Sequence, residues 1–195
     1  MSQSALFDDL APSPDALPPG LVYAPAWLSP AEEADLITLV RQLPLQQARY
    51  KSHVARRRVV SYGGQFDYDS NQLLPSVPLI DALHPLRERV ARWAGLAPEA
   101  LVHVLVAEYA PGTPLGWHRD VPDFEDVFGV SLGSAAVLRL RPYPPRQPRR
   151  EDIVRLQTEP RSIYALRGEA RWRWQHSVAP VDAWRASITF RTARR

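Results

Sequence analysis

Cysteine is absent from the 195 residues, methionine occurs once, and Lys51 is the single lysine. Without cysteine there is no disulfide, no zinc–thiolate site and no thiol nucleophile. No apolar run approaches the roughly 18 residues that a membrane helix needs. The N-terminus also lacks a basic region followed by an apolar one, so no signal peptide is expected. These absences predict a soluble, cytoplasmic protein, monomeric by default. What is present in quantity is arginine and proline. A formal charge of +3 and a pI near 9.5 suit a polyanionic partner, but so small a bias does not select one. With 45% apolar residues the chain has material for one sizeable core, and its length suggests one domain.

Residues 1–20 carry Pro12, Pro14, Pro18 and Pro19 among Ser, Asp and Ala. Such a segment cannot form a continuous helix and reads as a flexible N-terminal arm ahead of a single domain over 21–195. Leu21–Trp27 reads as a short strand. Ser29-Pro30-Ala31-Glu32 has the chemistry of a capped helix start: Ser29 as N-cap, Pro30 in the first turn and Glu32 closing a capping box. Leu36, Ile37, Val40 and Leu43 then fall at helical spacing to about Gln42. A second helix is expected over Val77–Ala94, split after Leu83 by Pro85 and stopped by Gly95. From residue 101 onward short apolar segments alternate with turn residues. Strands are expected at 101–110, 127–133, 136–141, 153–156, 162–166, 172–176 and 186–192. The class is mainly β with N-terminal helices, in a jelly roll or another sandwich.

The chemistry concentrates in two places. His118-Arg119-Asp120 follows the loop Ala110-Pro111-Gly112-Thr113-Pro114, and in an extended chain residues i and i+2 share a face. An imidazole and a carboxylate so placed can reach one ion, while Arg119 points away. His176 lies 58 residues downstream. Two histidines and one carboxylate match the facial triad of non-haem iron oxygenases, although the same donors also accept Mn, Co, Ni or Zn. The second place is Arg185-Ala186-Ser187-Ile188-Thr189-Phe190-Arg191. Its polar residues alternate, so Arg185, Ser187, Thr189 and Arg191 can line one pocket wall. Arginine there suits a dicarboxylate that chelates a metal at its other end. His103, His53 and His84 stand in no such motif and are expected to be structural.

Tyr109, His118-x-Asp120, His176 and Arg185-x-Ser187-x-Thr189-x-Arg191 together resemble the AlkB family of Fe(II)/2-oxoglutarate-dependent dioxygenases, over roughly Leu21 to Arg191. The resemblance implies a double-stranded β-helix (jelly roll). It implies Fe(II) held by His118, Asp120 and His176, with 2-oxoglutarate and O2 as co-substrates. Arg185 would pair with the distal carboxylate, helped by Tyr109, with Ser187 and Arg191 near the chelating end. The reaction would be demethylation or hydroxylation of a modified nucleic acid, DNA or RNA, with release of succinate and CO2.

Two departures from the family pattern bear on the ligands. Ala107 stands where many members have Asn, implying one hydrogen bond fewer to 2-oxoglutarate. Pro122 stands where some base-demethylating members have an acid. The stretch Arg56–Tyr68, with Tyr62, Phe66 and Tyr68 around two glycines, reads as an aromatic hairpin. In this family such a segment forms a lid whose Tyr62 and Tyr68 would stack on a base beside phosphate-pairing arginines. The Pro- and Arg-rich loop from Pro142 to Arg150 could likewise meet a phosphate backbone. A protein or small-molecule hydroxylase on the same scaffold is the alternative. A degenerate binding module and a zinc hydrolase fit less well, since neither calls for the two arginines.

Overall fold

The computed structural model describes residues 17–50, 53–67, 72–74, 77–145 and 153–194. Two antiparallel sheets face one another. The larger is seven-stranded, in the order β1-β11-β8-β13-β6-β3-β2, and the smaller four-stranded, β10-β9-β12-β7. The large sheet is built from β1 (Leu21–Ala24), β2 (Gln46–Tyr50), β3 (His53–Tyr62), β6 (Leu101–Tyr109), β8 (Phe124–Gly133), β11 (Ile163–Leu166) and β13 (Arg185–Ala193). The small one holds β7 (Leu115–His118), β9 (Ala136–Pro142), β10 (Val154–Thr158) and β12 (Trp174–Val178). A separate hairpin pairs β4 (Gln65–Asp67) with β5 (Gln72–Leu74). This is the expected jelly roll.

β13 is the centre of the large sheet and is buried along both faces. Ala186, Ile188 and Phe190 point to a core shared with two helices, where Phe190 lies opposite Phe128 of β8. Full burial of such a side chain contributes about 1.5–3 kcal/mol. The alternate residues of β13 face the small sheet, and there the interior is an open cavity rather than a packed core. At one end of the sandwich Leu138, Leu140, Leu156, Leu166 and Val178 close it with apolar packing.

The helices back the large sheet. α1 runs Pro30–Gln42, and its start is the expected box: Ser29 Oγ accepts from Glu32 N at 3.2 Å and Glu32 Oε2 from Ser29 N at 2.8 Å. Glu33 on the next position accepts from Gly133 N at 2.9 Å, which fixes α1 to the end of β8. Arg89 of α2 (His84–Ala94) bonds both Glu32 and the Trp27 carbonyl and ties the helices together.

The expected second helix is shorter than 77–94. Residues 77–80 are irregular, a 3-10 turn covers Asp81–Leu83, and α2 begins at His84 with Pro85 in its first turn. Proline here starts a helix rather than kinking one, since its missing N–H would be unpaired anyway. Gly95 ends it in the left-handed conformation (φ 69°). A short helix α3, Gly168–Trp172, takes the first residue of the strand expected over 172–176, and the strand itself begins at Trp174. Leu17–Gly20, read as part of the arm, belong to the fold: the Pro19 and Gly20 carbonyls accept from Ala170 N and Arg167 N. The rest of the arm, and Arg146–Arg150 of the Pro- and Arg-rich loop, lie outside the described residues. No helix among the described residues is long and apolar enough to cross a membrane.

Candidate metal centre

β7 and β12 are neighbours, and their register sets His118 directly opposite His176. Both imidazoles point inward, with ring centroids 4.2 Å apart. Asp120, two residues past the end of β7, joins them: its Oδ2 lies 3.5 Å from His176 Nε2. One donor atom from each of the three residues falls within 4.8 Å of the others, and the group opens onto a cavity of about 1390 Å3.

The electrostatics favour a cation at that point. Burial pushes the His118 imidazole down, and burial with the neighbouring His118 pushes His176 down to about 3, so both rings are neutral ligands. His118 Nδ1 sits 2.8 Å from the Gly116 carbonyl. That contact makes Nδ1 the protonated nitrogen and leaves the Nε2 lone pair free, as metal-bound histidines require. Burial alone would raise the Asp120 carboxyl. Arg191, His176 and His118 outweigh it and hold the group below the usual carboxylate range. Its Oδ1 accepts twice from Arg191, from Nε and Nη2, each at 2.6 Å. Its Oδ2 is buried with no hydrogen-bond partner. An orphaned carboxylate oxygen beside two neutral imidazoles is the donor set a divalent metal completes.

The polar residues of β13 occupy one wall of the cavity as their alternation predicts: Arg185, Ser187, Thr189 and Arg191 all line it. The two arginines differ. Arg191 is engaged by the protein, with Nη1 also 3.1 Å from His103 Nδ1. His103 therefore accepts, and burial, reinforced by Arg191, lowers its pKa to about 3. Arg185 is 3% exposed and makes one long bond, Nη2 to Ser131 Oγ at 3.3 Å, with its guanidinium 5.1 Å from the Tyr109 ring. Its Nε is buried and unbonded, and no described carboxylate lies within ion-pair distance. A buried cation left so incomplete is costly unless an anion joins it.

The residue profile of the 2OG-Fe(II) oxygenase superfamily matches residues 20–191. The chain belongs to that superfamily. Among curated proteins, this oxygenase is 29% identical over 178 residues to the Xenopus tropicalis tRNA (carboxymethyluridine(34)-5-O)-methyltransferase alkbh8, covering 88% of the chain and 26% of that protein. It is also 29% identical to the Arabidopsis thaliana "Alkylated DNA repair protein ALKBH8 homolog", covering 91% of the chain and 56% of the relative. The oxygenase thus spans about a quarter to a half of these relatives. Its fold matches the solved structure of OsALKBH1 with a TM-score of 0.72 at 16% identity, over 90% of this chain and 98% of that one. The AlkB resemblance is met by these relatives.

Tyr62, expected in a lid, is instead a core residue. On β3 it lies opposite Val104, 3% exposed, while Arg57, Val59 and Ser61 of the same strand face the cavity. The alternation that brings Arg57 in turns Tyr62 to the helix-covered side. Tyr68 lies outside the described residues. The expected arginine run divides: Arg58 pairs with Glu108 at 2.6 Å, whereas Arg57 lines the cavity.

Two further residues of this oxygenase were missed in the sequence. Tyr164 of β11 lines the cavity opposite Gly129 of β8, and a Cβ on Gly129 would lie 2.3 Å from the tyrosine ring and 2.6 Å from its oxygen. Glycine there lets the phenol lie across the sheet toward β13. Burial raises it to about 12, so it stays a hydrogen-bond donor. A glycine inside a strand was the available signal. Arg171 of α3, 2% exposed, donates from Nη2 to the carbonyls of Asp120, Val121 and Phe124 at 3.2, 2.8 and 2.8 Å. It fastens the loop that carries Asp120.

Proposed function

We propose that the chain is an Fe(II)/2-oxoglutarate-dependent dioxygenase acting on a modified nucleic acid. The observation that carries the reading is the pair of unmet groups in one cavity: Asp120 Oδ2 at one place and the Arg185 guanidinium at another. A metal answers the first and a distal carboxylate the second. His118, Asp120 and His176 would hold the iron. Arg185 would anchor the distal carboxylate of 2-oxoglutarate with Tyr109 beside it, and Ser187 would lie toward the chelating end. Arg191 orients Asp120 by taking up Oδ1 and leaving Oδ2 to the metal. When bound, iron and 2-oxoglutarate supply oxidation of a substrate C–H bond by O2, with succinate and CO2 released. The sandwich itself contributes neutral imidazoles and a fixed cation.

The substrate class rests on the relatives, whose names cite tRNA and alkylated DNA, and on Arg57, a cation in the cavity wall suited to an anionic substrate. The test is anaerobic loading with Fe(II) and 2-oxoglutarate, then succinate release on adding O2, with methylated RNA, methylated DNA and methylated peptides as separate arms. Succinate coupled stoichiometrically to a nucleic-acid product is the expected result. Coupling to the peptide arm alone would replace the nucleic-acid substrate with a protein one. No succinate from metal-loaded protein would remove the oxygenase reading.

A further inference from the structure

The outer face of the small sheet carries a second concentration of positive charge, on the side of β7 and β12 away from the metal ligands. In β9 the residues that alternate with buried Ala136, Leu138 and Leu140 are Val137, Arg139 and Arg141. In β10 they are Arg155 and Gln157, both exposed, and in β12 Gln175 and Ser177. Register brings these together: Arg155 lies opposite Arg139, which lies opposite Ser177, and Arg141 lies opposite Gln175. No strand residue on this face is acidic, and none of Arg119, Arg139, Arg141 and Arg155 has an ion-pair partner among the described residues.

Two arginines directly opposed across a ladder repel one another and weaken the pairing. An open sheet face ordinarily mixes charges of both signs; the described strand residues of this one carry only positive charge, and Glu159, just past β10, accepts from Gln157 at 3.0 Å rather than from an arginine. The guanidiniums are also held in place. Arg141 bonds Gln175 Oε1 through Nε and Nη2 at 2.9 and 2.7 Å, and Arg139 Nε bonds Ser177 Oγ at 3.0 Å. Arg141 and Arg139 lie 4.4 and 5.4 Å from the Trp117 ring, and Arg119 lies 3.8 Å from the ring of Tyr143. Stacking on an aromatic face orients a guanidinium while leaving N–H groups at its rim for an anion. The row ends at the cavity, since Trp117 and Arg119, on either side of His118, also line it.

We infer that this face is a docking platform for the phosphodiester backbone of a single-stranded nucleic acid whose target nucleotide enters the cavity. The inference deepens the nucleic-acid reading and rests on it. A polyanion relieves the repulsion between Arg155 and Arg139, and the aromatic rings at the β7 edge offer stacking surfaces for bases next to the target. Contacts of this kind bind without regard to sequence and respond to salt. Each phosphate neutralised on a single strand contributes about 0.7 to the slope of log K against log salt.

The experiment is fluorescence anisotropy of a short labelled oligouridylate titrated with full-length protein over a range of KCl, comparing wild type with Arg139→Gln/Arg155→Gln and Arg139→Lys/Arg155→Lys. The Gln pair is expected to bind more weakly, with the salt slope reduced by about 1.4 for the two lost contacts. The Lys pair keeps the charges and should retain the slope. Uncoupled 2-oxoglutarate turnover should match wild type in both, because neither residue reaches the metal centre. Wild-type binding with an unchanged slope in the Gln pair would overturn the platform and leave the nucleic-acid reading standing. Absence of any salt-dependent binding by active wild type would overturn both. A slope lost equally in the Lys pair would show that shape rather than charge is read, which also overturns the platform.

Discussion

At the scale of single residues, Arg185 and Arg191 show how one strand gives two identical side chains different tasks. Both face the cavity from β13, but Arg191 has Asp120 and His103 as partners, whereas Arg185 has only a long bond to Ser131. Arg185→Lys keeps the charge and loses the planar fork. We expect the apparent affinity for 2-oxoglutarate to fall tenfold or more, with Mn(II) affinity unchanged, both read by calorimetry. Arg191→Lys should do the reverse and weaken the metal, because Asp120 loses its paired bonds. If Arg185→Lys binds 2-oxoglutarate like wild type, the anchor lies elsewhere. The triad and the β13 row were legible because period-two alternation in the sequence reports directly on shared faces. Tyr62 was misread because alternation says which residues share a face but not which face meets the cavity. That choice is made by β6 and the helices, far away in the chain.

Among elements, the least conspicuous one holds the metal ligand in place. α3 is only five residues long and carries no cap or apolar period that would distinguish it from the strand after it. α1, by contrast, was legible to the residue because its signals are local: Ser29, Pro30 and Glu32 cap their own backbone. Yet Arg171 of α3 binds three carbonyls of the 120–124 loop, a contact made across some 50 residues of chain that no short-range pattern reveals. Arg171→Leu should leave those carbonyls unpaired. The expected outcome is a stability loss of about 1–3 kcal/mol and metal affinity lowered roughly tenfold, the lower range for supporting residues around a metal site. A stability loss with metal affinity intact would make α3 a purely structural brace. Gly129→Ala makes the corresponding test of the β8–β11 pair. Its Cβ would meet the Tyr164 ring at 2.3 Å, and overpacking of this kind costs about 1–3 kcal/mol. Tyr164→Ala in the same chain should recover part of that loss. No recovery would mean that the clash is not with the phenol.

For the whole molecule, the decisive feature is that the sandwich keeps its centre open and lines it with buried neutral histidines. His103 and His176 are held down to about 3, chiefly by burial, and His118 is lowered for the same reason. An unfolded histidine takes up its proton near pH 6.5. Below that pH the unfolded chain binds more protons than the folded one, so stability falls as pH falls, down to about 3. Asp120, held below its usual range, adds a loss of the same sign at still lower pH. Each histidine contributes about 1.4 kcal/mol per pH unit within its window. Metal-free protein should therefore be most stable above pH 6.5 and lose several kcal/mol by pH 5, measured by urea unfolding at a series of pH values. Divalent metal should raise stability by a nearly constant increment from neutral pH down through the range in which the folded imidazoles stay neutral, and by less only where they take up protons and compete with it. His103→Gln separates the structural share from the ligand share. Its amide oxygen still accepts from Arg191 but does not titrate, so the acid slope should flatten by one proton while metal binding persists. An unchanged slope in that variant would mean that His103 takes up its proton in the folded state without cost, and that the cavity is wetter at β6 than its burial implies.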